Sequence, residues 1–308
     1  MVSKEKWLPI IKLWDGTPSH GSTDTLMMKE VCLSLKELGF KTQHKALWSF
    51  EDLHNGKLAY VTHTRRVGGQ RPYGISQADA EKYVIDMYTG KMPNNLAMQV
   101  AAHGHTVRGT IDDEPFRIVN SPCWVTFMEY PKAQASFPHW QTDMGAYFII
   151  VTKEGRIRLQ SWIYPPFIYN HNEKKIYSGE YSNAKYVAMT TKTPILESYF
   201  QDLCKDAKFI IAVTADYHVG HVGGLAPESY EYNGQTFEVA QTPATKRMLE
   251  YWRNFVAVCK IIKPNELWVV GDACNGVQRT YDQTCRAITQ NLDEQKAMFV
   301  ELFKSFLE

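Results

Sequence analysis

The sequence predicts an α/β protein, and two observations carry that prediction. Continuous apolar runs of strand length, such as KFIIAVTA from residue 208, alternate with amphipathic helical segments in the first and last thirds of the chain. Four of these runs, drawn from opposite ends of the chain, finish in Asp or His. Those are the residue types that α/β proteins mount at the carboxyl ends of their strands to hold ligands.

Taken in order, WLPIIKLWDG reads as a strand entering a Gly turn. STDTLMMKEVCLSLKELG reads as a helix with a Ser/Thr cap and Gly39 as its stop. KLAYVTHT and NLAMQVAAHGHT are strands ending in histidine, separated by the helical segment SQADAEKYVIDMYTG. After residue 110 the pattern changes to short alternating runs, FRIVN, WVTFMEY and the hairpin GAYFIIVTKEGRIRLQSWIY with Glu154-Gly155 at its turn. From Pro165 to about Lys192 the chain is polar, Tyr-rich and weakly patterned, and TPILESYFQDLCKD then reads as a helix, so residues 166–207 form a connector. The run from residue 208 to Ala215 suits an interior strand covered on both faces, and a Gly-rich stretch with aromatics follows it. TPATKRMLEYWRNFVAVCKII repeats apolar residues at helical spacing, capped by Thr242 or Thr245 and ended by Pro264. NELWVVGDACNG is a strand running into Gly271-Asp272, and NLDEQKAMFVELFKSFL closes the chain as an amphipathic helix.

Composition excludes several classes. A chain 44% hydrophobic and 13% aromatic can bury a substantial core, which sets aside disorder. Lys+Arg 34 against Asp+Glu 33 leaves a net charge of +1, so there is no overall basic field of a dedicated nucleic-acid binder, although a local basic patch stays open. No window reaches the roughly 18 continuous apolar residues of a membrane span, and MVSKEKWLPIIKLWDG lacks a signal-peptide core, which predicts a cytoplasmic protein with no membrane partner. The six cysteines are scattered without CxxC spacing, indicating neither a disulfide framework nor a zinc-thiolate site.

The candidate chemistry lies at the strand ends. Asp216-Tyr217-His218 follows the strand from residue 208, and Gly271-Asp272, with Asn275-Gly276 behind it, follows the next strand. His103-Gly104-His105 can turn two imidazoles to one side of a tight turn, and His63 ends another strand. Singly, each has a plain alternative: a loop cap, a bare turn, or surface histidines clustered by chance. Four strand ends that each offer Asp or His are a stronger signal than any one of them.

TADYHVGH, VVGDACNG, VTHT and AAHGHT resemble the DxH, GDxxxG, isolated His and GHxH blocks of the calcineurin-like metallophosphoesterases. In that family DxH and GDxxxG come first; here they come last, so only the cyclic order is kept. The fifth block, GNH, corresponds to Gly16-Thr17-Pro18-Ser19-His20, which puts Thr17 in the Asn slot and Pro18 in the His slot. The resemblance covers most of residues 8–110 and 208–300. It implies a circularly permuted, four-layer α-β-β-α sandwich in a single domain. Residues 1–165 would correspond to the family's C-terminal half, 208–308 to its N-terminal half, and 166–207 to the connector. The join would fall between the closing helix and the strand at Pro9 to Trp14, an arrangement that requires neighbouring chain ends.

Carried over by position, the resemblance makes Asp216, His218 and His105 ligands of one metal, Asp272 the bridge, and His63, His103 and Thr17 ligands of a second. Mixed carboxylate and imidazole ligands suit two divalent transition-metal ions, Mn²⁺ foremost, with Fe, Zn²⁺ or Ni²⁺ as alternatives. The implied reaction is hydrolysis of a phosphomonoester or phosphodiester by a metal-bridging hydroxide. His20 is either the general acid or a replacement ligand. Arg65, like Arg66 and Arg108, either grips a phosphate oxygen or belongs to a solvated charge run. His221 either faces the pocket or is a loop histidine; Asn275 is a second-layer donor or a turn residue. Tyr217 and Tyr230 either stack a base or reflect a Tyr-rich composition. The implied partner is a phosphoester small molecule or nucleotide. Two further readings stand beside it: a nuclease acting on DNA or RNA, and a catalytically impaired metal-binding module.

Overall fold

The computed structural model describes residues 7–16, 25–63, 77–102, 116–128, 143–164, 167–170, 175–178, 194–277 and 287–308. In the first third these form β1 (Ile10–Trp14), α1 (Thr25–Glu37), β2 (Thr42–Lys45), β3 (Trp48–Asp52), β4 (Leu58–Thr62), α2 (Gln77–Tyr88) and β5 (Leu96–Ala101). The apolar runs became strands and the periodic segments helices, as expected. β2 and β3 were not anticipated: each is short, and they lie at the edges of two different sheets, where an apolar run is not required.

The middle of the chain supplies β6 (Arg117–Asn120), β7 (Phe127–Met128), β8 (Met144–Thr152), β9 (Ile157–Tyr164), β10 (Phe167–Asn170) and β11 (Lys175–Ser178). β8 and β9 are the expected antiparallel hairpin, turned at Gly155 with φ 79°. β10 pairs with both β7 and β11, so the segment read as a connector contributes strands that its weak patterning did not announce.

The last third gives α3 (Pro194–Cys204), β12 (Ala207–Ala215), β13 (Ser229–Tyr232), β14 (Gln235–Glu238), α4 (Pro243–Ile262), β15 (Glu266–Val270) and α5 (Leu292–Lys304). Thr242 is the N-cap of α4 in a reciprocal capping box with Thr245, and Lys263 ends the helix in the left-handed conformation just before Pro264. β13 and β14 form a hairpin whose turn residues Asn233 and Gly234 both have positive φ, 51° and 72°. Asn-Gly between alternating runs is the local signal for that turn.

The result is a mixed α/β structure. One sheet has the order β2-β1-β15-β12-β8-β9, with its first four strands parallel and its last two pairings antiparallel; the other, β3-β4-β5-β6, is parallel except at β3. Three apolar clusters order the layers. Ile11, Leu13, Ala212, Leu267 and Val269 on one face of the six-stranded sheet pack with α1, α3, α4 and α5. Trp14, Val213, Trp268 and Val270 on its other face meet Val61, Val100 and Val119 of the four-stranded sheet. Tyr60, Leu96 and Ile118 on the outer face of that second sheet pack with Val84 and Met87 of α2. β12 is covered on both faces, the physical reason its sequence is a continuous apolar run. Among the described residues no helix is long and apolar enough to cross a membrane.

Candidate metal centre

β12 and β15 are neighbouring parallel strands paired Ala215↔Val270, so both end at one level, with Asp216 and Asp272 just beyond. β4, in the other sheet, ends at Thr62 and delivers His63 from across the layer between the sheets. Ligand atoms of His63, Asp216 and Asp272 lie within 4.8 Å of one another, and all three residues are buried.

His63 Nε2 is 3.0 Å from Asp272 Oδ2, and its Nδ1 is 3.0 Å from the Val270 carbonyl and 3.7 Å from Asp216 Oδ1. A carbonyl can only accept, so Nδ1 carries a proton, and Nε2 is turned to the Asp272 carboxylate, an arrangement of the kind that orients metal-binding imidazoles. Donor atoms about 2.1 Å from one ion sit roughly 3.0 to 3.4 Å apart, so the spacing of Nε2 and Oδ2 suits a shared cation as well as a shared proton. Burial works against a charged His63. The Asp272 charge and hydrogen bond, then Asp216 and the Val270 carbonyl, outweigh it and raise its pKa to about 9. Two carboxylates facing one imidazole thus favour added positive charge, and the donor set fits a divalent transition metal.

The backbone around the cluster is strained and tightly laced. Asp216, His218 and Asp272 all have positive φ (50°, 45° and 36°), a conformation that costs a non-glycine residue about 1 kcal/mol or more and persists only where its surroundings enforce it. Here the enforcement is a ladder between the two turns: His218 N–H donates to the Asp272 carbonyl, Val219 N–H to that of Ala273, and Asn275 N–H to that of Val219. Two glycines let the parts close together. A Cβ on Gly16 would fall on Asp272 Oδ1, and one on Gly271, itself at φ 75°, would fall inside the His63 ring.

Of the site residues expected from the sequence, His63, Asp216 and Asp272 are therefore brought together. His218 is buried on the same turn but is not one of the three converging ligands. Asn275 is buried and its backbone is part of the ladder. His221 Nδ1 accepts a hydrogen bond from Gly223 N–H at 3.2 Å, which gives it a part in shaping the loop. Thr17, His20, Arg65, His103 and His105 lie outside the described residues, as do Arg66 and Arg108. Base stacking by Tyr217 or Tyr230 is corrected. Tyr217 is fully buried against Trp252 and Phe299 with its hydroxyl on Thr214 Oγ1, and Tyr230 is buried, packed on Phe237 and bonded to Glu294.

One neighbouring pair was missed. Asp15, at the end of β1 beside Gly16, is bonded to His44 of β2 at 2.7 Å. No local signal links residues so far apart in sequence; the pair exists because β1 and β2 lie side by side. Comparison with protein-family models, with curated proteins and with solved structures finds no match to this chain.

Proposed function

We propose that this chain is a dinuclear-metal phosphoesterase built on a circularly permuted, calcineurin-like α-β-β-α sandwich. The observation that carries the reading is the convergence of Asp216, Asp272 and His63 from three strand ends in two sheets. Strand order supports it as well: β12, β15 and β1 lie side by side and end in the turns that resemble DxH, GDxxxG and GNH, in that order. The proposed permutation has support in β1 lying directly beside β15, where a strand following α5 would lie, and in the Trp7 and Phe306 rings, 6.4 Å apart. In this reading residues 1–165 and 208–308 are the two exchanged halves of one domain in a cytoplasmic protein.

The divalent ions would be held by Asp216, Asp272 and His63, with His218, His103, His105 and Thr17 as the further ligands the motif resemblance supplies. When bound, such ions supply Lewis acidity to water and to the phosphoryl oxygens. By the motif resemblance Asp272 would be the ligand that the two ions share. The Val270 carbonyl occupies the Nδ1 proton, so Nε2 would be the imidazole atom that takes an ion in place of its own proton. Burial of the cluster limits competing water, and His20 would serve either as the proton donor to the leaving oxygen or as a replacement ligand.

Turnover of p-nitrophenyl phosphate and its bis-ester with added Mn²⁺ tests the proposal, with a labelled single-stranded oligonucleotide as a further substrate. Metal-dependent hydrolysis is expected, falling on the order of a hundredfold or more in Asp272→Asn, since a direct ligand matters at least as much as an outer-layer partner. Hydrolysis that is independent of metal, or unchanged in Asp272→Asn, refutes it.

A further inference from the structure

Helix α5 turns a stripe of Gln295, Met298, Phe299, Leu302 and Phe303 to the interior, and the first member of that stripe is polar. A buried amide is costly unless every hydrogen-bonding group finds a partner, so an apolar side chain is the default there. Gln295 is fully buried and well satisfied. Its Oε1 accepts from Gly276 N–H at 2.9 Å, and its Nε2 donates to the Gly276 carbonyl at 3.1 Å and to the Thr289 carbonyl at 2.9 Å. The side-chain amide thus pairs with both backbone groups of one residue, as a neighbouring strand would.

Gly276 closes the turn that begins at Gly271-Asp272. The same glutamine also reaches the other ligand-bearing turn: a Cβ on Gly220 would lie 2.7 Å from Gln295 Cγ, so the absence of a side chain there lets the glutamine stem pass. Ile288 N–H, from the segment leading into α5, donates to the Gly220 carbonyl at 2.6 Å. Gln295 therefore spans the DxH-like and GD-like turns from the helix that follows them in the chain.

We infer that Gln295 is a positioning residue for the metal centre. It acts through Gly276 and Gly220 to hold Asp216, His218 and Asp272 in their left-handed backbone conformations. The inference rests on the proposed metal reading. Removing the clamp lets the strained turns relax toward ordinary backbone, which moves the ligands before it unfolds the chain.

The test is Mn²⁺ and Zn²⁺ affinity, measured by competition with a chelating fluorophore on the full chain, for wild type, the near-isosteric Gln295→Met, and Met298→Ala as a control on the same helix face. Gln295→Met is expected to bind about tenfold or more weakly. Met298→Ala is expected to lower the melting temperature and leave metal affinity unchanged. A folded Gln295→Met with wild-type affinity overturns the inference and leaves the metal reading standing; a wild type that binds neither ion overturns both. Hydrogen exchange on metal-free wild type needs no variant. The Gly276 amide is expected to exchange as slowly as those of β15, and fast exchange there also overturns the inference.

Discussion

β15 carries Glu266 at its start and Asp272 just past its end, so one strand takes part in two buried charge clusters built on different principles. At the start, Lys12 of β1 bonds both Glu51 of β3 at 2.9 Å and Glu266 at 2.8 Å. Lys45, Ser49 and the Trp268 indole complete the set. Two lysines face two glutamates, and the network ties one sheet to the other. At the far end two carboxylates face a single imidazole on a strained backbone. The first cluster is neutralised by side chains of the chain itself and holds the sheets in register. The second gathers more negative charge than its imidazole can offset, which is the composition of a site made for a cation.

Three experiments sharpen or break that contrast. Lys12→Met leaves buried glutamates short of their cation and should cost about 3 to 5 kcal/mol in urea denaturation, with metal affinity unchanged. A parallel loss of metal binding would mean that the two clusters are one coupled unit. Mn²⁺ at a hundred times its Kd should stabilise wild type by about 2.7 kcal/mol and give Asp272→Asn far less. Equal stabilisation of both would place the ion elsewhere. The smallest effect concerns acid. Burial works to raise the Glu51 pKa, and hydrogen bonds from Lys45, Ser49 and Lys12 outweigh it and leave it below 4.5. Its contribution to stability is full above pH 4.5 and is lost as pH falls through the lower folded value. Melting temperatures followed downward from pH 5 should drop less steeply in Glu51→Gln than in wild type, and identical slopes would remove Glu51 from the acid response.

Much of this was legible because it is local. The capping box at Thr242 and Thr245, the Gly155 hairpin turn and the continuous apolar run of β12 each depend on a few consecutive residues. The β13–β14 hairpin was equally local, since Asn233-Gly234 signals it, yet the stretch read only as Gly-rich and aromatic. Gln295 had a weaker local mark, a polar residue opening an apolar stripe, with nothing to say what the amide reached. Periodicity and turn residues mark Asp216, Asp272 and His63 only as residues at strand ends; it was the motif resemblance that grouped them round shared metals, and the structure brings these three together.

The sequence by itself determined the order of the longer strands and helices and the chemical type of group at the ends of several strands, because periodicity, capping and turn residues act over a few positions. Only the tertiary structure decided the geometry in which those ends meet. His63 is oriented by the Val270 carbonyl, 207 residues away, and balanced against Asp272 across two sheets. Such contacts depend on strand order and register, which follow from the packing of whole layers and leave no mark at the residues concerned.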